Sequence, residues 1–347
     1  MDANLDIQIE EALKAYSASG VEDQVDYQKF YLYSIVTHST AIEGSTVTEI
    51  ENQLLFDEGI AAKGRSLTEQ MMNVDLKDAY LYAFKLATDN PTYTPQLLQQ
   101  LSALVMRRTG SEYSMIAGHF DSSKGEFRLC NVSAGIGGRS YLAYNKVPRA
   151  VYDFCSWLNE EIATADRANI AACYRLSFEA HFRLVTIHPW VDGNGRTTRL
   201  VMNMIQRQLG LIPSIVRKED KGEYIQSLVD SRENDDSTIA QDVMLRHHIA
   251  NINRRILQYQ ENDTVNAQSD TVNVTANSNN DTVKGLKKSL QKVYTVILNN
   301  PKITHSEIMQ TLHISESTAK RATRDLKKLG YIAREGSDKT GKWIILK

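Results

Sequence analysis

A polar stretch of 23 residues sets the main limit on how this chain can fold. Residues 261–283 read ENDTVNAQSDTVNVTANSNNDTV, with no apolar residues at helical spacing. A segment of this composition cannot bury enough apolar surface to join a core. It predicts a linker between two separately folded parts, residues 1–260 and 284–347. If flexible, it would have a root-mean-square reach of about 26 Å. The length of 347 residues also fits about two domains.

The two parts differ in charge. Residues 284–347 carry 14 basic and 5 acidic side chains, a net charge of +9, whereas residues 1–283 carry 26 basic and 37 acidic ones, a net charge of −11. The overall net charge of −2 hides this division. Such an asymmetry predicts an interaction surface on one part of the chain.

Several protein classes are excluded by pattern. No apolar run approaches the roughly 18 residues of a membrane span, and the first residues lack a basic region followed by an apolar one. We therefore expect a cytoplasmic protein without a membrane partner. Cys130, Cys155 and Cys173 are widely spaced and not in pairs, so they predict buried structural thiols rather than a disulfide framework or zinc site. The sequence leaves a homo-oligomer open.

Before the linker, apolar residues recur mainly at helical spacing. Thr94 as N-cap and Pro95 at the first position predict one helix, which Gly110 ends. Two more helices follow, from about residue 166 and around residues 200–205. Because Pro and Gly are sparse here, the pattern predicts a mainly α domain.

The region from Ser114 to Tyr144 is the exception to the helical pattern. Asp121 to Gly125 is a turn signal between residues 116–120 and 126–131, and three glycines follow closely. We expect a β-hairpin or an extended flap here. It could hold a peptide strand by edge pairing or serve only as a connector.

The most informative segment is IHPWVDGNGRTTR, residues 187–199, which lies between two predicted helices. Pro189 ends the first helix, and the following glycines permit turns that expose backbone N–H groups where the next helix begins. A helix N-terminus of this kind is an anion site, and phosphate suits it. Arg196 and Arg199 supply forked donors for phosphate oxygens.

Two further residue types in this segment suit nucleotide chemistry. Asp192 offers a hard oxygen ligand for Mg²⁺ beside the phosphates. His188 has an ordinary pKa near 6.5, so it can accept a proton at neutral pH. Taken singly, each of these residues is more often structural. Their occurrence within twelve residues predicts a phosphate site with its own base.

This segment resembles the signature of the Fic family, HPFx[DE]GNGRxxR, with Trp190 in place of the usual Phe. The resemblance implies a helical Fic fold over roughly residues 25–260. It also implies transfer of a nucleotide monophosphate, most often AMP from ATP, to a hydroxyl of a target protein. His188 would be the base that deprotonates the hydroxyl, and Asp192 would hold the Mg²⁺ ion that bridges the phosphates.

The resemblance also assigns the phosphate-binding residues. Gly193, Asn194 and Gly195 would form the anion hole. Arg196 would hold the phosphates, and Arg199 would reach the γ-phosphate. Fic proteins also bind the target backbone at a flap before the active site, and the segment beginning Ile136, Gly137 and Gly138 is similar to that element.

A second motif lies upstream, at Ser39, Glu43 and Gly44. Ser39 and Glu43 are one helical turn apart, and Gly44 can cap the helix end. The motif resembles the Fic inhibitory pattern [ST]xxxE[GN]. The resemblance implies an N-terminal inhibitory helix whose Glu43 pairs with Arg199 and takes the place of the γ-phosphate.

From about residue 284 the pattern predicts three short helices and two strands around a Gly336/Gly341 turn. This arrangement is similar to a winged helix-turn-helix domain. The third helix would enter the DNA major groove, with the wing on the phosphates. Winged helices also serve as protein-interaction modules, so both readings stay open. The candidate DNA contacts are Lys320, Arg321, Arg324 and Lys342.

Taken together, the sequence predicts a mainly α protein: a Fic-fold domain with a β-hairpin flap, a linker, and a small C-terminal winged helix domain. The expected function is autoinhibited AMP transfer to a target protein, with ATP as substrate and Mg²⁺ as cofactor. One alternative is a DNA-binding regulator whose Fic domain only senses nucleotide. Another is a Fic enzyme that removes AMP or uses a different nucleotide.

Overall fold

The structure is a computed structural model that describes residues 2–24, 26–134, 139–271, 288–312, 314, 316–336 and 341–346. The chain divides into two compact units. One comprises residues 1–21 and 28–258, and the other residues 22–27 and 259–347. Each unit is described by itself.

The first unit is mainly helical, as predicted. Its helices are α1 (Ala3–Ser19), α2 (Tyr27–Ile42), α3 (Glu49–Glu58), α4 (Leu67–Ala87), α5 (Pro95–Val105), α6 (Val147–Thr164), α7 (Ile170–Ile187), α8 (Asn194–Gln208), α9 (Lys221–Asn234) and α10 (Thr238–Thr271). Its strands are β1 (Glu112–Met115) and β2 (Gly118–Asp121). Among the described residues, no helix is long and apolar enough to cross a membrane.

Local capping chemistry explains where several helices begin. Thr94 accepts a hydrogen bond from the Leu97 N–H at the start of α5, with Pro95 at the first position, which confirms the predicted start. The helix ends at Val105, five residues before the predicted stop at Gly110. Thr48 and Ser66 form capping boxes at the starts of α3 and α4. These caps satisfy N–H groups that a helix leaves without intrahelical partners.

Helix α8 lies at the centre of the unit. It packs against α4, α5 and α7, and apolar side chains around its circumference, such as Leu200, Met202 and Ile205, are fully buried. A helix that is buried on all sides is a core element rather than a surface one. The N-terminus of α8, which carries the motif, is therefore held rigidly.

The β-hairpin is real but lies earlier in the chain than predicted. Tyr113 pairs with Phe120 and Met115 with Gly118, so the turn falls at residues 116–117. The predicted turn Asp121 to Gly125 is instead a short 3₁₀ segment, and residues 126–131 form no strand. Gly125 packs so closely against α5 that a Cβ there would lie 1.9 Å from the Gln99 carbonyl oxygen. The glycine therefore serves close packing rather than a hairpin turn.

The linker that we predict for residues 261–283 is partly helical in the structure. Helix α10 continues through Thr271, so the first eleven residues of the stretch 261–283 are helical. This part contains neither Gly nor Pro, and extending an existing helix costs far less than nucleating one. Residues 272–283 lie outside the described residues.

The second unit contains the predicted three helices and two strands. These are α11 (Lys288–Asn299), α12 (His305–Leu312), α13 (Glu316–Lys328), β3 (Ile332–Glu335) and β4 (Lys342–Ile345), with β3 and β4 antiparallel. Its core includes Ile297, Ile308, Ala319 and Leu326. Thr304 and Glu307 form a capping box at the start of α12. Leu329, the residue after α13, is 48% exposed.

Candidate active site

The loop between α7 and α8 places His188 at the end of α7 in a left-handed conformation, with φ of 54°. This conformation costs energy for a residue other than glycine and marks functional sites. The Nδ1 atom of His188 lies 3.3 Å from the carbonyl oxygen of Val185. Because a carbonyl oxygen only accepts, Nδ1 must carry the proton in this contact. The Nε2 atom is then the basic one.

Trp190 and Asn194 fix the shape of this loop. Trp190 is fully buried and donates from Nε1 to the Gly125 carbonyl oxygen at 3.0 Å. The side-chain amide of Asn194 accepts from the Trp190 N–H at 3.1 Å and donates to the Trp190 carbonyl at 2.8 Å. The Asn194 side chain is thus engaged with the loop backbone. A hole for an anion must use the backbone N–H groups at this helix start.

Arg196 has donor groups without acceptors. Its side chain is 3% exposed, and Nη2 lies 3.4 Å from Oδ1 of Asp192. Within the described part of the chain, Nε and Nη1 of Arg196 are buried without a hydrogen-bond partner. Buried donors of this kind are rare unless a ligand satisfies them. They point to an anion bound at the N-terminus of α8.

The side chain of Glu43 reaches the N-terminus of α8. Arg199 donates from Nη2 to Glu43 Oε1 at 2.5 Å, from Nε to Ser39 Oγ at 2.9 Å, and from Nη2 to the Ser39 carbonyl at 2.9 Å. A Cβ on Gly195 would come within 2.3 Å of Glu43 Oε1, so the carboxylate sits directly over the first turn of α8. Gly44, with φ of 102°, lets the chain turn away immediately after Glu43. The structure thus brings together Ser39, Glu43 and Arg199.

The electrostatics of the site favour a charged carboxylate and a neutral imidazole. Burial disfavours the charged form of Glu43, but the charge and hydrogen bond of Arg199 outweigh it, so the pKa of Glu43 is below its usual value. Burial lowers the pKa of His188 to about 4, and the positive charges of Arg128 and Arg232 act in the same direction. His188 is therefore an uncharged base at neutral pH.

Asp192 suits a magnesium ion bound together with phosphates. Its side chain is 59% exposed, and Oδ1 accepts from the Gly193 N–H at 2.6 Å. The described residues contain no cluster of three or more His, Cys, Asp or Glu side chains arranged around one point. Mg²⁺ commonly takes only one or two carboxylates and obtains its other ligands from water and substrate phosphates. The donor set at Asp192 fits that pattern.

Residues 92–206 match the Fic/DOC family model, and this range includes the whole segment from His188 to Arg199. Residues 286–333 match the winged helix-turn-helix DNA-binding family model, in agreement with the fold of the second unit.

Known proteins resemble the chain over residues 92–206 and beyond. The protein adenylyltransferase Fic of Drosophila erecta is 30% identical over 204 residues, which are 58% of this chain and 37% of the relative. The chain therefore spans little more than a third of that relative's length. A Fic domain containing signaling protein from Bacteroides thetaiotaomicron superposes with a TM-score of 0.60 at 18% identity, covering 73% of this chain and 97% of that one. A Fic family protein from Desulfovibrio desulfuricans gives 0.60 at 17% identity, covering 99% and 95%. At these identities the solved structures show a shared fold.

The site also includes residues that the sequence motifs did not reveal. Tyr141 stacks on the His188 ring with centroids 3.8 Å apart. The guanidinium of Arg232, on α9, lies over the Tyr141 ring, 5.1 Å from its centroid. Tyr224, also on α9, accepts from Arg199 Nη1 at 3.5 Å and contacts His181 Nε2 at 3.0 Å. No spacing in the sequence connects α9 to the motif, so only the fold identifies these residues.

The predicted flap is only partly described. Ile136, Gly137 and Gly138 lie outside the described residues. The chain on either side of them is paired: Tyr141 donates its N–H to the Val132 carbonyl at 3.0 Å, and Ser133 and Ser140 form a β-bridge. The role of this flap in binding a target stays a prediction.

The candidate DNA contacts in the second unit differ in their surroundings. Lys320 and Arg324 are exposed on α13. Arg321 forms an ion pair with Asp26 at 2.8 Å, a residue of the segment 22–27 in the same unit. Lys342 pairs with Glu335 at 3.1 Å across the β3–β4 hairpin. All four residues stay candidate DNA contacts.

Proposed function

We propose that this chain is a protein adenylyltransferase that transfers AMP from ATP to a Ser, Thr or Tyr hydroxyl of a target protein. The proposal is supported by the match of residues 92–206 to the Fic/DOC family model. It is also supported by the similarity to the Drosophila erecta relative, which is named a protein adenylyltransferase. The main observation behind the proposal concerns the buried Arg196 beside the N-terminus of α8. Within the described part of the chain, its Nε and Nη1 atoms have no hydrogen-bond partner. An anionic ligand is the natural partner for such donors.

In the proposed reaction each side chain of the site has one role. Nε2 of His188 takes the proton from the attacking hydroxyl, and the oxygen forms a bond to the α-phosphorus of ATP. The bond from that phosphorus to the bridging oxygen of the β-phosphate breaks, and pyrophosphate leaves. Arg196 and the backbone N–H groups at the start of α8 hold the phosphates while charge redistributes. Mg²⁺ held by Asp192 would supply further charge neutralisation on the phosphates.

We further propose that Glu43 inhibits this reaction. Its carboxylate occupies the fork of Arg199 and covers Gly195. A γ-phosphate and this carboxylate would need the same donors, so their binding is mutually exclusive. Ser39, one helical turn before Glu43, accepts two hydrogen bonds from Arg199. These bonds keep the guanidinium oriented toward Glu43.

Labelled ATP tests the proposal. Wild type, Glu43→Gly and Glu43→Gly/His188→Ala are incubated with cell lysate and with ATP labelled at either the α- or the γ-phosphate. We expect protein labelling from α-labelled ATP only, strongest with Glu43→Gly and absent with the double variant. Labelling from γ-labelled ATP would indicate phosphorylation instead. If Glu43→Gly labels no protein from α-labelled ATP, the proposed transfer of AMP is wrong.

The same preparation tests the reverse reaction. If Glu43 orients a water molecule for removal of AMP, wild type should release AMP from proteins labelled by Glu43→Gly, and Glu43→Gly should not. Replacing α-labelled ATP by α-labelled GTP, CTP or UTP tests for another nucleotide.

For the second unit we propose DNA binding through α13. Support comes from the family match and from the exposed cations Lys320 and Arg324. We expect affinity for a fluorescent duplex to fall with rising salt. The Lys320→Glu/Arg324→Glu variant should weaken binding and reduce the salt slope by about 2. Lys302→Glu, on the connection between α11 and α12, is the control. Affinity that is insensitive to salt would argue for a protein-interaction module.

A further inference from the structure

Arg128 connects the catalytic histidine with the chain on both sides of the flap. Its side chain is fully buried. The guanidinium donates from Nε to the His188 carbonyl at 2.8 Å, from Nη1 to the Cys130 carbonyl at 2.7 Å, and from Nη2 to the Leu142 carbonyl at 2.5 Å. In addition, its backbone N–H donates to the Pro189 carbonyl at 3.1 Å. All of these acceptors are main-chain oxygens.

The charge of Arg128 is not compensated in the usual way. Within the described part of the chain it forms no salt bridge, and burial lowers the pKa of its guanidinium. Arg175, another buried arginine, instead forms ion pairs with Asp6 and Asp242. A buried cation that is balanced only by carbonyl dipoles is costly to keep. The Arg128 guanidinium must therefore have a role that depends on its three hydrogen bonds, because an apolar side chain could not make them.

The three carbonyls belong to elements that must act together in the reaction. Cys130 directly precedes residues 131–134, and Leu142 belongs to residues 139–142. We call these two segments the flap arms. They pair with each other through the Val132 and Tyr141 backbone hydrogen bond, and the ring of Tyr141 stacks on His188. Arg128 therefore fixes the main chain of the base and the ends of both arms from one side chain.

We propose that Arg128 is a positioning residue that locks His188 and the two flap arms into one rigid frame, so that an acceptor hydroxyl meets Nε2 at a fixed distance. This inference rests on the proposed AMP transfer. Arg128 contacts none of the residues assigned to the phosphates, so it acts on the base and not on nucleotide binding. The forked geometry is essential, because three carbonyls in different directions need separate N–H donors.

The charge of Arg128 has a second effect on the same histidine. The titratable or charged groups that face His188 are Arg128, Arg232, Glu43 and Tyr141. Burial is the main reason that the pKa of His188 is low, and the two arginines lower it further whereas Glu43 raises it. Removing the Arg128 charge should therefore raise the pKa of His188, while a lysine at this position should leave it nearly unchanged.

The test uses the Glu43→Gly chain as parent and adds Arg128→Lys, Arg128→Met or, as control, Arg175→Lys. Automodification with α-labelled ATP gives kcat and KM for ATP over a range of pH, and thermal unfolding is measured in parallel. We expect both Arg128 variants to lower kcat by about 100-fold, as displacement of a reacting group does, with KM for ATP nearly unchanged. Only Arg128→Met should move the acid limb of the pH profile upward. Arg175→Lys should lower the unfolding midpoint and leave kcat unchanged.

Two results would overturn the inference. One is a kcat for Arg128→Lys within about threefold of the parent, because the fork would then be unnecessary. The other is a fall in kcat for both Arg128 variants that Arg175→Lys reproduces at an equal loss of thermal stability, because the role would then be only structural.

A readout without catalysis separates this inference from the proposed function. The His188 imidazole is followed by NMR titration, assigned with His188→Ala. If the Glu43→Gly chain transfers no AMP, the proposed function is wrong. The NMR titration still tests whether Arg128 holds His188 and the two flap arms together. We expect Arg128→Met to raise the His188 pKa and to remove the ring-current shift from Tyr141. A spectrum identical to that of the parent would refute the positioning role.

Discussion

Nη2 of Arg199 donates a 2.5 Å hydrogen bond to Oε1 of Glu43; the Arg199 side chain is 3% exposed and that of Glu43 is 33% exposed. This contact joins the residue that directly follows α2 to the second turn of α8. Because the pKa of Glu43 is below its usual value, the carboxylate stays charged throughout the neutral range. The pair is therefore a constant feature of the resting chain rather than one that titrates near neutrality.

Thermal stabilisation by nucleotide should depend on Glu43. In wild type the carboxylate competes with the γ-phosphate for Arg199, whereas in Glu43→Gly the fork is open. At an ATP concentration of about 100 times Kd, Glu43→Gly should gain about 2.7 kcal/mol in the free energy of unfolding. We expect wild type to gain much less at the same ATP and Mg²⁺ concentrations. Thermal unfolding with and without nucleotide measures the difference.

The control for this experiment is Glu58→Gly, which removes an exposed glutamate at the end of α3. It should respond to ATP as wild type does. Equal shifts for wild type and Glu43→Gly would mean that the carboxylate does not compete with nucleotide.

The rate of AMP transfer should be nearly independent of pH from about 6 to 9. His188 acts as the base only when it is uncharged, and burial lowers its pKa to about 4. Activity is then fully present above this pKa and is lost as the pH falls through it. An exposed histidine would instead lose activity below about pH 6.5. Automodification by Glu43→Gly, measured down to the lowest pH at which the chain stays folded, distinguishes these profiles.

The motif residues could be predicted because their roles depend on local geometry. A proline, two glycines and two arginines near a helix start specify an anion site without knowledge of the rest of the chain. The Ser39 and Glu43 pair was also predictable, since one helical turn places both side chains on one face. Its partner Arg199, 156 residues away from Glu43, came from the family resemblance and lies at the predicted position.

The residues that hold the site together could not be predicted in this way. Arg128 binds carbonyls 2, 14 and 60 residues away, and a backbone carbonyl carries no residue-type signal. The hairpin was misplaced for a related reason. Asp121 to Gly125 has typical turn residues, but packing against α5 uses Gly125, while the true turn at residues 116–117 precedes Gly118, with φ of 134°. Tertiary contacts decided both cases.

Acid should destabilise the chain through its buried histidines. Burial lowers the pKa of His248 to about 3, and neither of its ring nitrogens has a hydrogen-bond partner in the described part of the chain. In the unfolded chain a histidine has a pKa near 6.5. Between these values the unfolded state binds a proton that the folded state does not. The free energy of unfolding therefore falls as the pH drops below 6.5, by up to about 1.4 kcal/mol per pH unit.

The variant His248→Phe should remove this contribution and keep the ring contact with Tyr174. Urea unfolding at pH 7, 6 and 5 measures the slope for wild type and variant. His119→Phe, on the exposed side of β2, should leave the slope of wild type unchanged. If His248→Phe and wild type lost stability equally between pH 7 and 5, the buried neutral histidine would not be the cause.

Gly195 should be essential for nucleotide binding even when Glu43 is absent. A Cβ at this position would lie 2.3 Å from Glu43 Oε1 and 3.0 Å from Arg199 Nη1. It would therefore stand where the anion must sit over the first turn of α8. In the Glu43→Gly background we expect Gly195→Ala to raise KM for ATP and to lower kcat/KM by about 100-fold, because the phosphates are displaced from their donors.

Gly222→Ala is the matched control, since a Cβ on that glycine at the start of α9 meets no atom within 4 Å. It should leave kcat/KM unchanged. In an otherwise wild-type chain, Gly195→Ala should also push the Glu43 carboxylate away from Arg199 without restoring transfer, because the same methyl group excludes both anions. Activity equal to that of Glu43→Gly would mean that the phosphates bind away from this helix terminus, and the site would have to be assigned elsewhere.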